Sequence, residues 1–114
     1  MKSKIVALSN NEDFKNLLQK KKLSNKYLTI FFGPLEEKDN KKLNISFVTK
    51  KKQIRNAVKR NKIKRRLRNI VNEAVKKISI NFNYSYLMIA KITMLNKEYT
   101  IIKDTLLQDF KKIT

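Results

Sequence analysis

The residues best suited to chemistry in this sequence are its arginines, and all five lie in one segment. They fall between Lys50 and Arg68, where eleven of nineteen residues are Lys or Arg. No acidic residue occurs from Asn40 to Asn72. A guanidinium group presents a planar fork of donors that binds phosphate through two hydrogen bonds. The segment Lys50–Arg68, called the basic segment below, therefore predicts a surface that binds a polyanion.

The composition restricts the catalytic chemistry that the chain could perform. It contains no His and no Cys, which removes disulfides, thiol nucleophiles, imidazole bases and the usual zinc ligands. The carboxylates are scattered. Glu36, Glu37 and Asp39 lack the spacing of a calcium loop, and we predict a solvated turn there. We therefore expect no catalytic residue and no metal site within the protein alone.

The overall charge favours nucleic acid as the partner. A net charge of +19 and an isoelectric point near 10.3 are extreme for 114 residues, and such a charge promotes binding to polyanions. A membrane surface is the lesser alternative. With 41% apolar residues, the chain is expected to fold as a single domain over residues 1–114.

The N-terminus does not resemble a targeting signal. Lys2 and Lys4 precede only four apolar residues, Ile5–Leu8, too few for the apolar core of a signal peptide. No run approaches the length of a membrane span. We expect a cytoplasmic protein with no membrane partner and no small-molecule substrate.

Three segments are predicted to be β-strands: Tyr27–Phe32, Leu43–Thr49 and Tyr84–Ile92. Aromatic and β-branched residues dominate the first, and the second alternates apolar with polar residues. We expect these two to pair as an antiparallel hairpin across the acidic turn that follows Gly33 and Pro34. The third is largely apolar and is therefore expected at the centre of the sheet.

A short helix is predicted before the first strand. Asn10 or Asn11 would cap it, and Phe14, Leu17 and Leu18 share one face. The basic run Lys20–Lys22 is expected to end it. Phe14 and Leu18 could also be ordinary core residues.

The basic segment itself contains the start of a second helix, within Ile54–Val58. Its polar side chains would lie opposite an apolar stripe, with Arg60 and Lys64 at the border, close to a helix N-terminus whose free N–H groups favour phosphate. A third helix is expected after Asn96, with Glu98 in its first turn. The apolar stripe of the second helix is Ile63, Leu67, Ile70, Val71, Ala74 and Ile78, and that of the third is Tyr99, Ile102, Leu106, Phe110 and Ile113.

These elements define the expected fold class. Their order, α-β-β-α-β-α, predicts a small two-layer α+β sandwich in which the basic helix is the crossover of a strand–helix–strand unit, Leu43–Ile92.

The run Ala57–Arg65, AVKRNKIKR, closely resembles the Arg-Asn-Arg signature of the bacterial ribonuclease P protein component. Asn11–Leu18 resembles the first helix of that family, and Ile45–Lys52 the strand that leads into the signature, so the similarity spans nearly the whole chain. Three positions depart from the family pattern. The second signature arginine is Lys62, a frequent glycine before the signature is Arg55, and the second aromatic of the first helix is Leu18.

The resemblance implies a fold and a function. The fold would be a four-stranded sheet with a left-handed β-α-β crossover, its fourth strand coming from Met1–Leu8 or from around Gly33–Lys42. The function would be that of the protein subunit of ribonuclease P. Such a subunit assists a catalytic RNA in removing the 5′ leader from precursor tRNA, with Mg²⁺ held mainly by the RNA.

The resemblance also implies two binding surfaces. One contacts the catalytic RNA, and the other is a cleft between the first helix and the sheet that receives the single-stranded leader, where aromatic faces suit unpaired bases. A core role for those aromatics is an open alternative. The RNA-subunit surface would comprise Lys51, Lys52, Arg55, Arg60, Asn61, Lys62, Lys64, Arg65 and Arg68. The leader cleft would comprise Phe14, Leu18, Tyr27 and Phe31.

Other classes of protein remain as alternatives. A noncatalytic RNA-binding protein of ribosomal or chaperone type shares this composition, and the run AVKRNKIKR is what argues against it. A DNA-binding module would need a helix-turn-helix scaffold. An autonomous nuclease is disfavoured by the missing His, and a membrane-active helix by the need for its apolar stripe in the core.

Overall fold

The computed structural model describes residues 5–8, 11–34, 42–78, 80 and 82–113. Five strands form one sheet in the order β1-β4-β5-β3-β2. The strands are β1 Ile5–Val6, β2 Lys21–Ser24, β3 Leu28–Pro34, β4 Leu43–Thr49 and β5 Tyr84–Ala90. The helices are α1 Asn11–Leu18, α2 Ala57–Lys77 and α3 Tyr99–Ile113, with a short 3₁₀ helix at Ile92–Asn96. The predicted α+β class is confirmed.

The centre of the sheet is β5, as its apolar composition predicts. It pairs parallel with β4 and antiparallel with β3, so that Met88 is opposite Phe47 on one side and Ile30 on the other. Helix α2 is the crossover between the parallel strands β4 and β5, as expected. The left-handed sense of that crossover stays a prediction.

The predicted hairpin between the first two strands is wrong. β3 and β4 do not pair, because β5 lies between them. A strand that is apolar on both faces is best buried in the middle of a sheet, and the crossover through α2 returns the chain to that position. The predicted acidic turn at residues 35–40 lies outside the described residues.

The strands that the sequence patterns did not define are both at the sheet edges. β1 falls within the predicted segment Met1–Leu8 and pairs parallel with β4, Ile5 opposite Leu43. The basic run Lys20–Lys22 was expected only to end the first helix, yet Lys21–Ser24 is β2, paired antiparallel with β3. Lysines are common on edge strands because their charge discourages pairing with another chain.

The end of the chain also differs from the prediction in detail. β5 ends at Ala90, and Ile92–Asn96 form the 3₁₀ helix. Asn96 therefore does not cap α3, which begins at Tyr99. Glu98 precedes the first turn, and its carbonyl accepts a hydrogen bond from the Ile102 N–H at 3.2 Å.

Helices α2 and α3 cover one face of the sheet, and α1 covers part of the other. The first face holds the main core, in which Tyr86 and Phe110 meet edge to face with ring centroids 5.8 Å apart. The predicted stripe of α2 is buried from Ile63 to Ala74, with Ile78 half-buried at the helix end, and the predicted inner face of α3 is confirmed. The α1 face has a smaller cluster of Leu8, Leu17 and Leu87, against which Phe14, Phe31, Val48 and Ile89 are half-buried.

Candidate nucleic-acid interface

The first turn of α2 is capped by a side chain within the basic segment. Asn56 has an extended backbone, and its Oδ1 accepts hydrogen bonds from the Val58 N–H at 2.9 Å and the Lys59 N–H at 3.2 Å. The helix thus begins where the sequence predicted, within Ile54–Val58. Val58, which is out of phase with the apolar stripe, is 77% exposed. The remaining N-terminal amide groups and the positive end of the helix dipole lie among cations.

The loop before α2 is anchored at one apolar residue. Ile54 is buried in the main core, and its N–H and that of Gln53 both donate to the carbonyl of Lys50, at 2.9 and 3.1 Å. The charged side chains of this loop all point away from the core. The exposed cations of the loop are Lys50, Lys51, Lys52 and Arg55.

The polar and the apolar side chains of α2 lie on different sides of the helix. The outer face carries exposed polar and basic side chains, whereas Arg60 and Lys64 are half-buried at the border of the apolar stripe, as predicted. The exposed predicted members of this face are Asn61, Lys62, Arg65 and Arg68.

No carboxylate neutralises the basic segment within the described part of the chain. The single acid of α2, Glu73, is directed towards α3, where it forms an ion pair with Lys103. That hydrogen-bonded ammonium lowers the pKa of Glu73, and the carboxylate raises the pKa of Lys103. The cations of the first half of α2 therefore remain available to an external polyanion.

A cavity of about 450 Å³ joins the two predicted binding surfaces. It lies at the outer edge of β4, beyond the two residues paired with β1. Phe14 enters it from α1, and Lys64 and Arg68 enter it from successive turns of α2. The complete lining is Ile5, Ala7, Phe14, Ile45, Ser46, Phe47, Lys64 and Arg68.

That a residue of α1 lines the same cavity as two cations of α2 did not follow from the sequence patterns. The spacing of Lys64 and Arg68 at i and i+4 shows that they share a flank of α2, but not which element they face. Phe47 and Ser46 join the cavity from β4 and were not predicted as site residues. The Ser46 hydroxyl also accepts a hydrogen bond from the Leu8 N–H at 2.8 Å, which holds the segment after β1 beside β4.

The four residues of the predicted leader cleft do not all lie together. Phe14 and Phe31 belong to the same cluster on the α1 face, and Leu18 is 48% exposed at the end of α1. The structure does not bring Tyr27 to them, because its side chain is buried in the main core. Strand β3 begins only at Leu28, so the alternation that places Phe31 on the α1 face does not extend to Tyr27.

The turn before β3 explains the orientation of Tyr27. The Oδ1 of Asn25 accepts hydrogen bonds from the N–H groups of Tyr27 and Leu28, at 2.7 and 3.0 Å. The amide of Asn25 donates in turn to the buried carboxylate of Asp109 in α3, at 2.5 Å. An Asx turn of this kind reverses the chain locally, and here it is tied to the main core.

Two features of the described residues bear on other classes of function. No three acidic side chains among them lie close enough to hold a metal ion. None of their helices is both long and apolar enough to cross a membrane.

The fold and the surface together define a small basic α+β protein of the nucleic-acid-binding class. The family model described as Ribonuclease P matches residues 3–114. The chain belongs to this family. A protein of Carboxydothermus hydrogenoformans named "Ribonuclease P protein component" is 32% identical over 107 residues, which cover 91% of this chain and 87% of that protein.

Solved structures agree with this assignment. The ribonuclease P protein of Staphylococcus aureus, determined at 2.0 Å, superposes with a TM-score of 0.76 at 25% identity, covering 94% of this chain and 93% of that one. The ribonuclease P protein of Thermotoga maritima has the same fold, with a TM-score of 0.78 at 22% identity over 96% of this chain and 98% of that one. The predicted family and the predicted role as a ribonuclease P protein component are confirmed.

Proposed function

We propose that this protein binds the RNA subunit of ribonuclease P and the 5′ leader of precursor tRNA, while the RNA subunit performs the hydrolysis. The chain has no His and no Cys, and no acid lies within the basic segment. We therefore assign the Mg²⁺ ions of the reaction mainly to the RNA. The protein would reduce the repulsion between phosphates of substrate and RNA and so stabilise the site where Mg²⁺ binds. A cytoplasmic location is part of this proposal.

The RNA subunit would bind the exposed side of the basic segment. Its side chains surround the N-terminus of α2, where the positive end of the helix dipole adds to the positive charge of the side chains. Structured RNA is recognised mostly through its shape and its phosphates, which suits a surface of flexible cations. The proposed contacts are Lys51, Lys52, Arg55, Asn61, Lys62, Lys64, Arg65 and Arg68.

The leader would lie against the α1 face of the sheet. Phe14 and Phe31 are half-buried there, so part of each ring faces solvent. Unpaired bases stack on such rings with little sequence preference. Leu18 would extend this apolar surface at the end of α1, and Tyr27 is excluded from it because its ring is in the core.

One observation carries the proposal: Phe14 lines the same cavity as Lys64 and Arg68. An aromatic ring beside two cations matches the base and the phosphate of one nucleotide. It also makes the two surfaces continuous, as a protein needs if it is to hold substrate against the RNA subunit.

The test is the cleavage of a 5′-extended precursor tRNA by a bacterial ribonuclease P RNA at low Mg²⁺ and near-physiological salt. The protein should restore cleavage at the mature 5′ end, and Arg68→Ala should impair this effect. Lys112→Ala, an exposed cation in the last turn of α3, is the matched control and should cleave like the wild type.

Other outcomes would reject parts of the proposal. Cleavage that requires the protein but no added RNA would place catalytic groups in this chain. Equal losses for Arg68→Ala and Lys112→Ala would indicate only bulk charge. If a matched RNA subunit is bound but cleavage is unchanged, the chain acts as a noncatalytic RNA-binding protein.

A further inference from the structure

Arg60, the first arginine of the signature, directs part of its guanidinium group into the protein. Its Nη1 donates to the carbonyl of Ile54 and to the carbonyl of Arg55, both at 2.8 Å. The side chain is half-buried, unlike that of Arg65 one and a half turns later. Arg60 thus contacts the chain immediately before α2 through hydrogen bonds in which the donor is charged, a strong class of hydrogen bond.

The loop that Arg60 contacts needs such a restraint. Lys50, Lys51, Lys52 and Arg55 are exposed cations within six residues, and their mutual repulsion opposes an ordered conformation. Apart from the buried Ile54, the loop is held by the two hydrogen bonds to the Lys50 carbonyl. The guanidinium of Arg60 adds a tie from α2 to the two residues that precede the helix cap.

The backbone of α2 fixes where this tie is made. The Arg60 N–H donates to the Asn56 carbonyl at 3.1 Å, which places Arg60 in the first complete turn of the helix. From there its side chain reaches back over the cap to Ile54 and Arg55. A planar group with several donors can satisfy two carbonyls from one nitrogen and still present its other nitrogens outward.

We propose that Arg60 is a positioning residue, which holds the loop Lys50–Arg55 in the conformation that presents its cations to RNA. The inference rests on the proposed function, because it assumes that this loop binds the RNA subunit. It assigns Arg60 a role different from that of Arg65, although both are arginines of one helix within the run Ala57–Arg65.

The first experiment measures amide hydrogen exchange in the free protein, where no RNA contact contributes. Arg60→Met should accelerate exchange at Gln53 and Ile54 by about 10-fold, because their hydrogen bonds lie in the released loop. Exchange at Leu67 and Ile70, inside α2, should not change. Arg65→Met is the matched control, and it should leave the loop amides as they are in the wild type.

The second experiment is a pair of double-mutant cycles on affinity for a bacterial ribonuclease P RNA. If Arg60 acts through the loop, the loss of affinity caused by Arg55→Met should be at least ~3-fold smaller in the Arg60→Met background. The double variant of Arg60→Met and Arg65→Met should lose affinity by the product of the two single fold-losses, to within about 2-fold, because these side chains share no partner. Arg60→Lys, which keeps the charge but lacks the fork, replaces Arg60→Met if the latter fails to fold.

The outcomes separate this inference from the function on which it rests. Unchanged exchange in the loop, or independent losses at Arg60 and Arg55, would overturn the positioning role and make Arg60 a direct contact. If Arg55→Met and Arg65→Met both leave the affinity unchanged, the proposed RNA surface itself is wrong. In that case the exchange result still decides whether Arg60 orders the loop.

Discussion

The two faces of the sheet are covered to very different extents. Among the described residues, the α2/α3 face has one cluster of eighteen buried apolar residues, whereas the buried apolar cluster on the α1 face has three. The lengths of the helices account for the difference, since α2 and α3 have 21 and 15 residues and α1 has 8. A single short helix cannot cover one face of a five-stranded sheet. The main core therefore supplies most of the stability, and the residues that the structure describes leave part of the α1 face open to a ligand.

Helix α2 contributes both to the stability of the fold and to the proposed binding surface. Its stripe from Ile63 to Ala74 is part of the main core, while its outer face and one flank carry the cations. Burial of the stripe fixes the rotation of the helix about its axis, and this rotation directs Lys64 and Arg68 to the cavity beside Phe14. The stabilising core and the proposed binding surface thus lie on different faces of the sheet and on different sides of α2.

The largest expected effect tests the difference between the faces directly. Leu67 of α2 and Leu17 of α1 are both fully buried, so their substitution by Ala removes the same atoms. Leu67→Ala should cost about 3–5 kcal/mol of unfolding free energy, and Leu17→Ala about 2–3 kcal/mol, because the thinner cluster can relax around the cavity. Urea denaturation measures both. Equal costs would mean that the α1 face is as well packed as the main core.

Phe14→Ala should reduce the affinity for substrate more than it reduces the stability of the fold. The ring is half-buried, so its loss should destabilise the protein less than Leu17→Ala does. Affinity for a precursor tRNA in the presence of the RNA subunit should fall by about 10-fold, since stacking on one base contributes ~1–3 kcal/mol. Affinity for mature tRNA, which has no leader, is the control and should not change. A loss that is equal for both RNAs would contradict a leader site at Phe14.

Arg65→Ala should weaken binding through charge alone. Arg65 is exposed on the outer face of α2, so the unfolding free energy should change little. Affinity for the RNA subunit should fall at low salt, and the negative slope of log K against log salt should become shallower by about 0.9, as expected for one lost phosphate contact. A decrease of the same size for Lys112→Ala would show that position on the surface does not matter.

The core of the fold could be predicted from the sequence more completely than its edges. The stripes of α2 and α3 are apolar residues at helical spacing, and burial follows directly from that spacing. β5 is apolar on both faces, which predicts its central position. β1 has two residues, and β2 is half lysine, so neither has a period that a sequence can reveal. Their pairing depends on strands that are distant in sequence.

The sequence indicates the cations of the candidate site, but it does not indicate their arrangement or every residue beside them. The clustered arginines and the family signature identify the cations of α2 without a structure. Which flank of the helix faces α1 depends on the packing of the crossover, and the tie from Arg60 to Ile54 and Arg55 depends on side-chain rotamers. The error at Tyr27 has a local cause, because an Asx turn precedes β3 and the alternation therefore begins one residue later than the aromatic pattern does.

The smallest expected effect concerns the ion pair of Glu73 and Lys103, which links α2 to α3. Lys103 lowers the pKa of Glu73, so this carboxylate stabilises the fold above its unfolded pKa near ~4.3, and the contribution is lost as pH falls through the lower folded value. Glu73 raises the pKa of Lys103, whose contribution is present below ~10.4 and is lost as pH rises through the higher folded value. The ion pair should therefore stabilise the fold at pH values between these two limits.

Glu73→Gln should lower the melting temperature slightly at neutral pH, because both side chains are partly exposed and water screens their attraction. The difference from the wild type should shrink at high salt and vanish as pH falls through the lowered pKa of the native carboxyl, which is then protonated as well. Affinity for the RNA subunit should not fall, since the substitution removes a negative charge from a helix that is proposed to bind a polyanion. A loss of RNA affinity would mean that the α2–α3 contact orients the basic face, and the separation between core and binding side of α2 would then be incomplete.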